Sequence, residues 1–149
     1  MSEYKLTKNI IELSSLDDWD RAKLEWTLQD VYEADEPNTC LCGHFPIIET
    51  CILKNKSNGN EAIVGNCCVK KFIGLPSDKI FQAVKRVRKD NEKSLNAEAI
   101  QHAHEKRWIN DWEYNFSIDT MRKRNLSVKQ LQSRIKINAK MLNNMKKKK

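Results

Sequence analysis

All five cysteines of this 149-residue chain fall within Thr39–Phe72, at Cys40, Cys42, Cys51, Cys67 and Cys68. Gly43, Gly59, Gly65 and His44 share the same stretch. The N-terminal residues MSEYKLTKNIIELSS lack the basic start, long apolar run and small-residue cleavage site of a signal peptide. The chain is therefore read as intracellular. In that compartment clustered cysteines serve as metal ligands more often than as disulfides, and an odd cysteine count points the same way.

Zinc takes about four ligands in a tetrahedron, usually Cys thiolate or His nitrogen. A C-x-C-G turn presents two sulfurs on one side, and Gly43 lets the backbone bend there, which puts Cys40 and Cys42 first. Cys67 and Cys68 are adjacent, so one of them is expected to ligate, at a helix start whose free N–H groups favour a thiolate. The last place falls to Cys51, on a strand, or to His44, beside the turn. The preferred set is Cys40, Cys42, Cys51 and Cys68, with His44 and Cys67 as alternates. Against this, a strand cysteine such as Cys51 serves equally well as a small core hydrophobe. A site with four protein ligands is closed, and closed zinc sites are structural.

The surrounding residues predict the secondary structure. Phe45–Lys54 is rich in β-branched and aromatic residues, Ser57-Asn58-Gly59-Asn60 is a turn signal and Glu61–Val64 a second strand, which together predict a β-hairpin. A short helix follows, with Val69, Phe72 and Ile73 on one face, and Gly74 and Pro76 end it. Upstream, residues 1–14 are weakly patterned. Ser15-Leu-Asp-Asp18 opens a helix predicted over 16–34 on a stripe of Leu16, Trp19, Leu24, Leu28 and Val31. Downstream, Ser77-Asp78 opens a helix with Ile80, Phe81, Val84 and Val87 as its stripe. After a break at Asp90–Ser94 another helix is predicted over 95–116, and a last one starts at the capping box Ser127-Val-Lys-Gln130. The expected fold is α+β: a small zinc-stabilised knuckle and β-hairpin with mostly helical N- and C-terminal extensions. Four segments follow: an acidic helical 1–37, the zinc module 38–76, a helical 77–145 with a basic C-terminus, and a disordered lysine tail at 146–149.

Charge is unevenly spread. Residues 1–37 carry 4 Lys/Arg against 10 Asp/Glu, whereas residues 117–149 carry 11 against 1, so the net +7 resides at the C-terminal end. A basic segment beside a zinc module implies a polyanion partner, most often nucleic acid. The residues expected at phosphates are Lys70, Lys71, Lys85, Arg86, Arg88, Lys89, Arg122, Lys123, Arg124, Lys129, Arg134, Lys136 and Lys140. A solvated basic helix is the plainer account of the same residues. No apolar run approaches the roughly 20 residues that span a membrane, so no membrane partner is expected.

Other chemistry has little support. His102 and His104 point to different helix faces, unlike zincin histidines at i and i+4. No Walker motif, G-x-G-x-x-G loop or G-x-S-x-G elbow is present. With no convergent acid, base or nucleophile set, an enzymatic reading is the weakest. Trp108 and Trp112 are spaced to stack on bases, but packing against the last helix is the favoured expectation. Trp19 is expected in the core and Trp26 at the surface.

The stretch C-x-C-G, Pro46-Ile47, Cys51, Asn55, Asn58-Gly59 and Val64-Gly65-Asn66-x-Cys68-Val69-x-x-Phe72 resembles one found in small proteins of bacteriophages, bacteria and large DNA viruses. Leu126-Ser127-x-Lys129-Gln130 resembles a helix opening that recurs near the C-terminus of such proteins. The resemblance covers about 34 residues plus this short motif and implies a zinc-knuckle module. The position of Cys67 varies among such relatives, which favours Cys68 as the ligand.

Two functions are carried forward. The first is a zinc-binding accessory protein that binds nucleic acid largely through sequence-independent phosphate contacts, with Zn²⁺ holding the fold. The second is a zinc-stabilised protein-interaction module, a phage or viral modulator of a host protein. The acidic N-terminal segment and the Trp108–Phe116 face are its support.

Overall fold

The structure, a computed structural model, describes residues 2–72 and 74–147. Ile73, assigned above to a helix face, and Lys148 and Lys149 of the lysine tail lie outside the described residues. The chain forms two compact units, Met1–Asp78 with Lys146–Lys149, and Lys79–Met145. The expected α+β class with helical N- and C-terminal parts is what the structure shows.

The first unit is built on an antiparallel sheet. Its strands are β1 (Trp26–Asn38), β2 (Ile47–Asn55) and β3 (Glu61–Gly65), in the order β3-β2-β1. The β2–β3 hairpin is as expected: Lys54 pairs with Glu61 and Cys51 with Val64, across a turn in which Gly59 has φ +81°. Residues Lys146–Lys147 (β4) pair in parallel with Glu33 and Ala34 on the far edge of β1, so the start of the lysine run is ordered here.

The N-terminal third departs from expectation. Residues Ser2–Leu13 are a helix (α1), held by Leu6 and Ile10, which lie one turn apart and are fully buried. The predicted helix over 16–34 is replaced by a single turn, α2 (Trp19–Ala22), a 3₁₀ turn over Lys23–Glu25 and then β1. The apolar spacing that suggested a helix is not a buried stripe, since Leu16 and Leu24 are exposed. Trp26, Thr27, Val31 and Tyr32 are strand-favouring residues, and pairing β1 with β2 satisfies the backbone of an apolar strand that would otherwise be an edge. Trp26 is buried rather than at the surface, its Nε1–H donating to Ser14 Oγ at 2.8 Å.

A buried carboxylate ties this region to the hairpin. Glu25 Oε1 accepts from Ser15 N–H at 2.9 Å and from Asn55 Nδ2 at 2.8 Å, and Oε2 accepts from Leu16 N–H at 2.9 Å. Asn55 Oδ1 in turn accepts from the backbone N–H groups of Ser57 and Asn58. Burial disfavours the Glu25 carboxylate, but these donors outweigh it and hold its pKa below the ordinary value. A depressed folded-state pKa contributes stability above the unfolded pKa that is lost as pH falls through the folded one. Glu25→Gln is therefore expected to be less stable at neutral pH by on the order of 1–2 kcal/mol. The gap in denaturation midpoint should close as pH falls from about 5 towards 3.

The second unit is helical. Residue Ser77 opens α4 (Ser77–Lys89), and Ile80, Phe81, Val84 and Val87 are buried as expected. The helix predicted over 95–116 is two: α5 (Ala97–Glu105) and α6 (Asp111–Thr120). Arg107 has φ +63°, and Asn110 and Glu113 form a reciprocal capping box that starts α6 afresh. The last helix, α7 (Val128–Met145), opens on the expected box: Gln130 N–H donates to Ser127 Oγ at 3.1 Å and Ser127 N–H to Gln130 Oε1 at 3.0 Å. Trp112 does not pack in the core: it is 61% exposed and lies flat against Phe116. Trp108 is half-buried, edge-on to His102.

Candidate metal centre

Three of the preferred ligands meet. The Sγ atoms of Cys40, Cys42 and Cys68 all lie within 4.8 Å of one another, and none of the three cysteines is in a disulfide. Sulfurs bound at about 2.3 Å to one tetrahedral ion sit roughly 3.8 Å apart, so small side-chain shifts suffice. Cys40 and Cys42 are buried and Cys68, in the single turn α3 (Asn66–Val69), is half-buried.

The turn that carries the first two is closed by its own backbone. Gly43 N–H donates to Cys40 C=O at 2.7 Å, and Cys40 N–H to His44 C=O at 2.9 Å. Gly43 has φ +94°, a conformation that L side chains rarely adopt. A Cβ on Gly43 would also lie 3.1 Å from Lys5 Nζ, so the ammonium of α1 rests on the turn. Asn9 of the same helix donates through Nδ2 to Leu41 C=O at 3.0 Å. Leu41 N–H donates to Ile63 C=O at 2.9 Å and thereby anchors the turn to β3.

Two backbone N–H groups aim at one sulfur. Gly65 N–H donates to Cys40 Sγ at 3.2 Å and Cys42 N–H at 3.5 Å. A Cβ on Gly65 would come within 3.1 Å of Ile47 Cγ2, so glycine allows the backbone this close. A hydrogen bond from the Cys68 thiol, aided by these two N–H groups, brings the Cys40 pKa down to about 5. Cys68 is pushed the other way, because its proton is shared with Cys40 and because it is partly buried. Buried thiols with donors already turned on a sulfur suit a soft-ligand metal such as zinc.

Cys51 is not brought into the cluster. It is 0% exposed on β2, between Val31 and Val64 of the flanking strands, and burial pushes its thiol up to about 12. Strand alternation puts it with Leu53 in the core. The alternates His44 and Cys67 are exposed, and both line a cleft of about 540 Å³ shared with the three sulfurs. Asn66, buried beside this cleft, was not singled out as functional. Its Nδ2 donates to Glu49 Oε1 and Asp78 Oδ1, and its Oδ1 accepts from Ser77 Oγ at 2.8 Å. The Val-Gly-Asn segment thus links the sulfur cluster to Ser77 and Asp78 within the first unit.

The residues expected at phosphates divide. Lys70, Lys71, Lys85, Arg86, Arg88, Lys89, Arg122, Lys123, Arg124, Lys129, Lys136 and Lys140 are exposed. Arg134 is not: it is 9% exposed, with Nη1 donating to Glu92 C=O at 3.2 Å and Nη2 to Thr120 C=O at 2.6 Å. Its donors are spent on the carbonyls of a turn and of the end of α6, which makes it a structural residue rather than a phosphate contact. Arg86 Nη2 donates to Ser94 C=O at 2.7 Å, and Ser94 Oγ to Met121 C=O at 2.9 Å. The basic turn Arg122-Lys123-Arg124 therefore adjoins the end of α4 that carries Arg86.

Among the described residues no helix is long and apolar enough to cross a membrane. Comparison of the chain with protein-family models, with curated proteins and with solved structures gives no match.

Proposed function

We propose that this is an intracellular zinc-binding accessory protein that binds nucleic acid through sequence-independent phosphate contacts. The observation that carries the zinc reading is the convergence of Cys40, Cys42 and Cys68 beneath two N–H donors. The ion holds the turn, the hairpin and α3 together, and His44 or Cys67 completes its coordination from the cleft. The resemblance of Thr39–Phe72 to zinc-knuckle proteins of phages and large DNA viruses supports the same reading.

Support for nucleic acid comes from how charge divides between the units. The second unit, Lys79–Met145, carries 15 Lys/Arg against 7 Asp/Glu, while the remaining residues carry 12 against 13. Nearly all of its basic side chains are exposed and lie on helices or short turns, as non-specific phosphate binding requires. Metal analysis of the purified protein and titration with duplex and single-stranded DNA at low salt test the two halves separately. One zinc per chain is expected. Engagement of about six phosphates would weaken binding roughly 1,000-fold between ~50 and ~200 mM salt. Absence of stoichiometric zinc overturns the first half, and absence of binding at low salt the second.

A second reading, a protein-interaction module, rests on apolar side chains around the hairpin. Phe45, Ile48 and Ile63 are 61%, 44% and 42% exposed. It gains ground if zinc is present and nucleic acid does not bind.

A further inference from the structure

Resting on the reading of the second unit as a nucleic-acid binder, we infer that α6 carries a stacking platform selective for single strands. Its centre is the Trp112–Phe116 pair, with ring centroids 5.2 Å apart and planes within 9° of parallel. Phe116 occupies one face of the indole, and Trp112 remains 61% exposed. Leaving so large an apolar ring in water forgoes the stabilisation that burial would supply. A flat aromatic pair with an outer face open is the geometry onto which an unpaired base stacks, and every base offers a π-face, so sequence matters little. A paired duplex keeps its base faces covered, which makes a single strand the fitting occupant.

Charge at both ends of the helix agrees with a strand laid along it. Arg122, Lys123 and Arg124 follow α6 directly, about 15 Å along the helix axis from Trp112 at 1.5 Å per residue. Beyond the other end lies a cleft of about 660 Å³ lined by Arg107, by the Lys140–Glu113 pair and by Asp111. Of the acids near Trp112, Glu113 is paired with Lys140 and bound to the Asn110 cap, whereas Asp111 is hydrogen-bonded to His104 Nε2 at 2.8 Å and stays exposed. Exposed Asp119, one face with Trp112 at i+7, opposes a phosphate path, as does Asp111.

Anisotropy titrations with a labelled oligothymidylate and a hairpin duplex, at low salt, test the platform. Trp112→Ala is expected to weaken oligothymidylate binding about tenfold while duplex binding stays unchanged. Trp112→Phe should retain most of the affinity, and Asp119→Asn should tighten it severalfold. Circular dichroism checks that each variant folds, which a surface ring permits. If Trp112→Ala leaves oligothymidylate binding intact while Arg122→Ala/Lys123→Ala/Arg124→Ala weakens it, the platform is overturned and the phosphate reading stands. Equal weakening on duplex and single strand also overturns it. If the unaltered protein binds neither, both inferences fall.

Discussion

Cys40→Ser is expected to yield protein without stoichiometric zinc and without a stable first unit. Cys40 Sγ meets Cys42 and Cys68 and also receives the N–H groups of Cys42 and Gly65, so its loss removes a ligand and the fixed polar shell at once. Structural zinc contributes about 10 kcal/mol or more of apparent binding energy at neutral pH. Whole domains are stable by only about 5–15 kcal/mol, so a metal-free first unit has little in reserve. Cys51→Ser provides the contrast. It puts a hydroxyl into a strand core and is expected to cost about 1–3 kcal/mol while one zinc per chain remains. Metal stoichiometry and thermal unfolding of the two variants read this directly. Full zinc in Cys40→Ser would remove the proposed centre, and a folded but metal-free Cys51→Ser would restore the strand cysteine as a ligand.

The second large effect is expected at Arg134. Arg134→Ala takes the guanidinium from the carbonyls of Glu92, in the turn after α4, and of Thr120, the last residue of α6. It also enlarges a small hollow that Arg134 lines together with Ile100, Phe116 and Ile137. The Glu92 carbonyl loses its partner, at about 1–3 kcal/mol, while Thr120 C=O keeps the Lys123 N–H at 3.0 Å; with lost packing the expected destabilisation is on the order of 2–4 kcal/mol. Lys129→Ala and Lys136→Ala, on exposed positions of the same helix, should stay within about 0.5 kcal/mol. Urea unfolding at constant m-value measures the difference. Equal, small effects at all three positions would return Arg134 to the phosphate-contacting set.

Arg134 also shows where reading a sequence stops. Along α7 it looks like Lys129, Lys136 and Lys140, because charge patterning records composition and not which face a neighbouring loop covers. Local signals fared better. The Asn58-Gly59 turn specified the hairpin register, and the Ser127–Gln130 box specified where α7 begins, because both act within a few residues. Asn110-Asp-Trp-Glu113 carried the same capping signal and marks the break between α5 and α6, though the apolar run from Trp108 to Phe116 suggested continuity. Residues 26–34 form strand rather than helix because the strand preference of Trp26, Thr27, Val31 and Tyr32 outweighs the helical spacing of Leu28 and Val31. The decision there lay with β2, a partner distant in sequence. The ligand set divides in the same way. Cys40 and Cys42 belong to one turn, whereas the choice between Cys51 and His44 for the last place depends on which face of β2 looks inward.

The hairpin tip has a further consequence. Asn58 and Asn60 both donate through Nδ2 to Leu13 C=O, at 2.9 and 2.8 Å, while Glu25 holds the N–H groups of Ser15 and Leu16. The tip of one element thereby closes the end of another more than 40 residues away. Ser15 and Leu16 lie outside any helix, yet their amides should resist deuterium exchange as the core strands do, because releasing them requires the buried Glu25 carboxylate, itself tied to Asn55 of β2, to give up its donors. A segment that looks like linker would then open in step with the sheet rather than ahead of it.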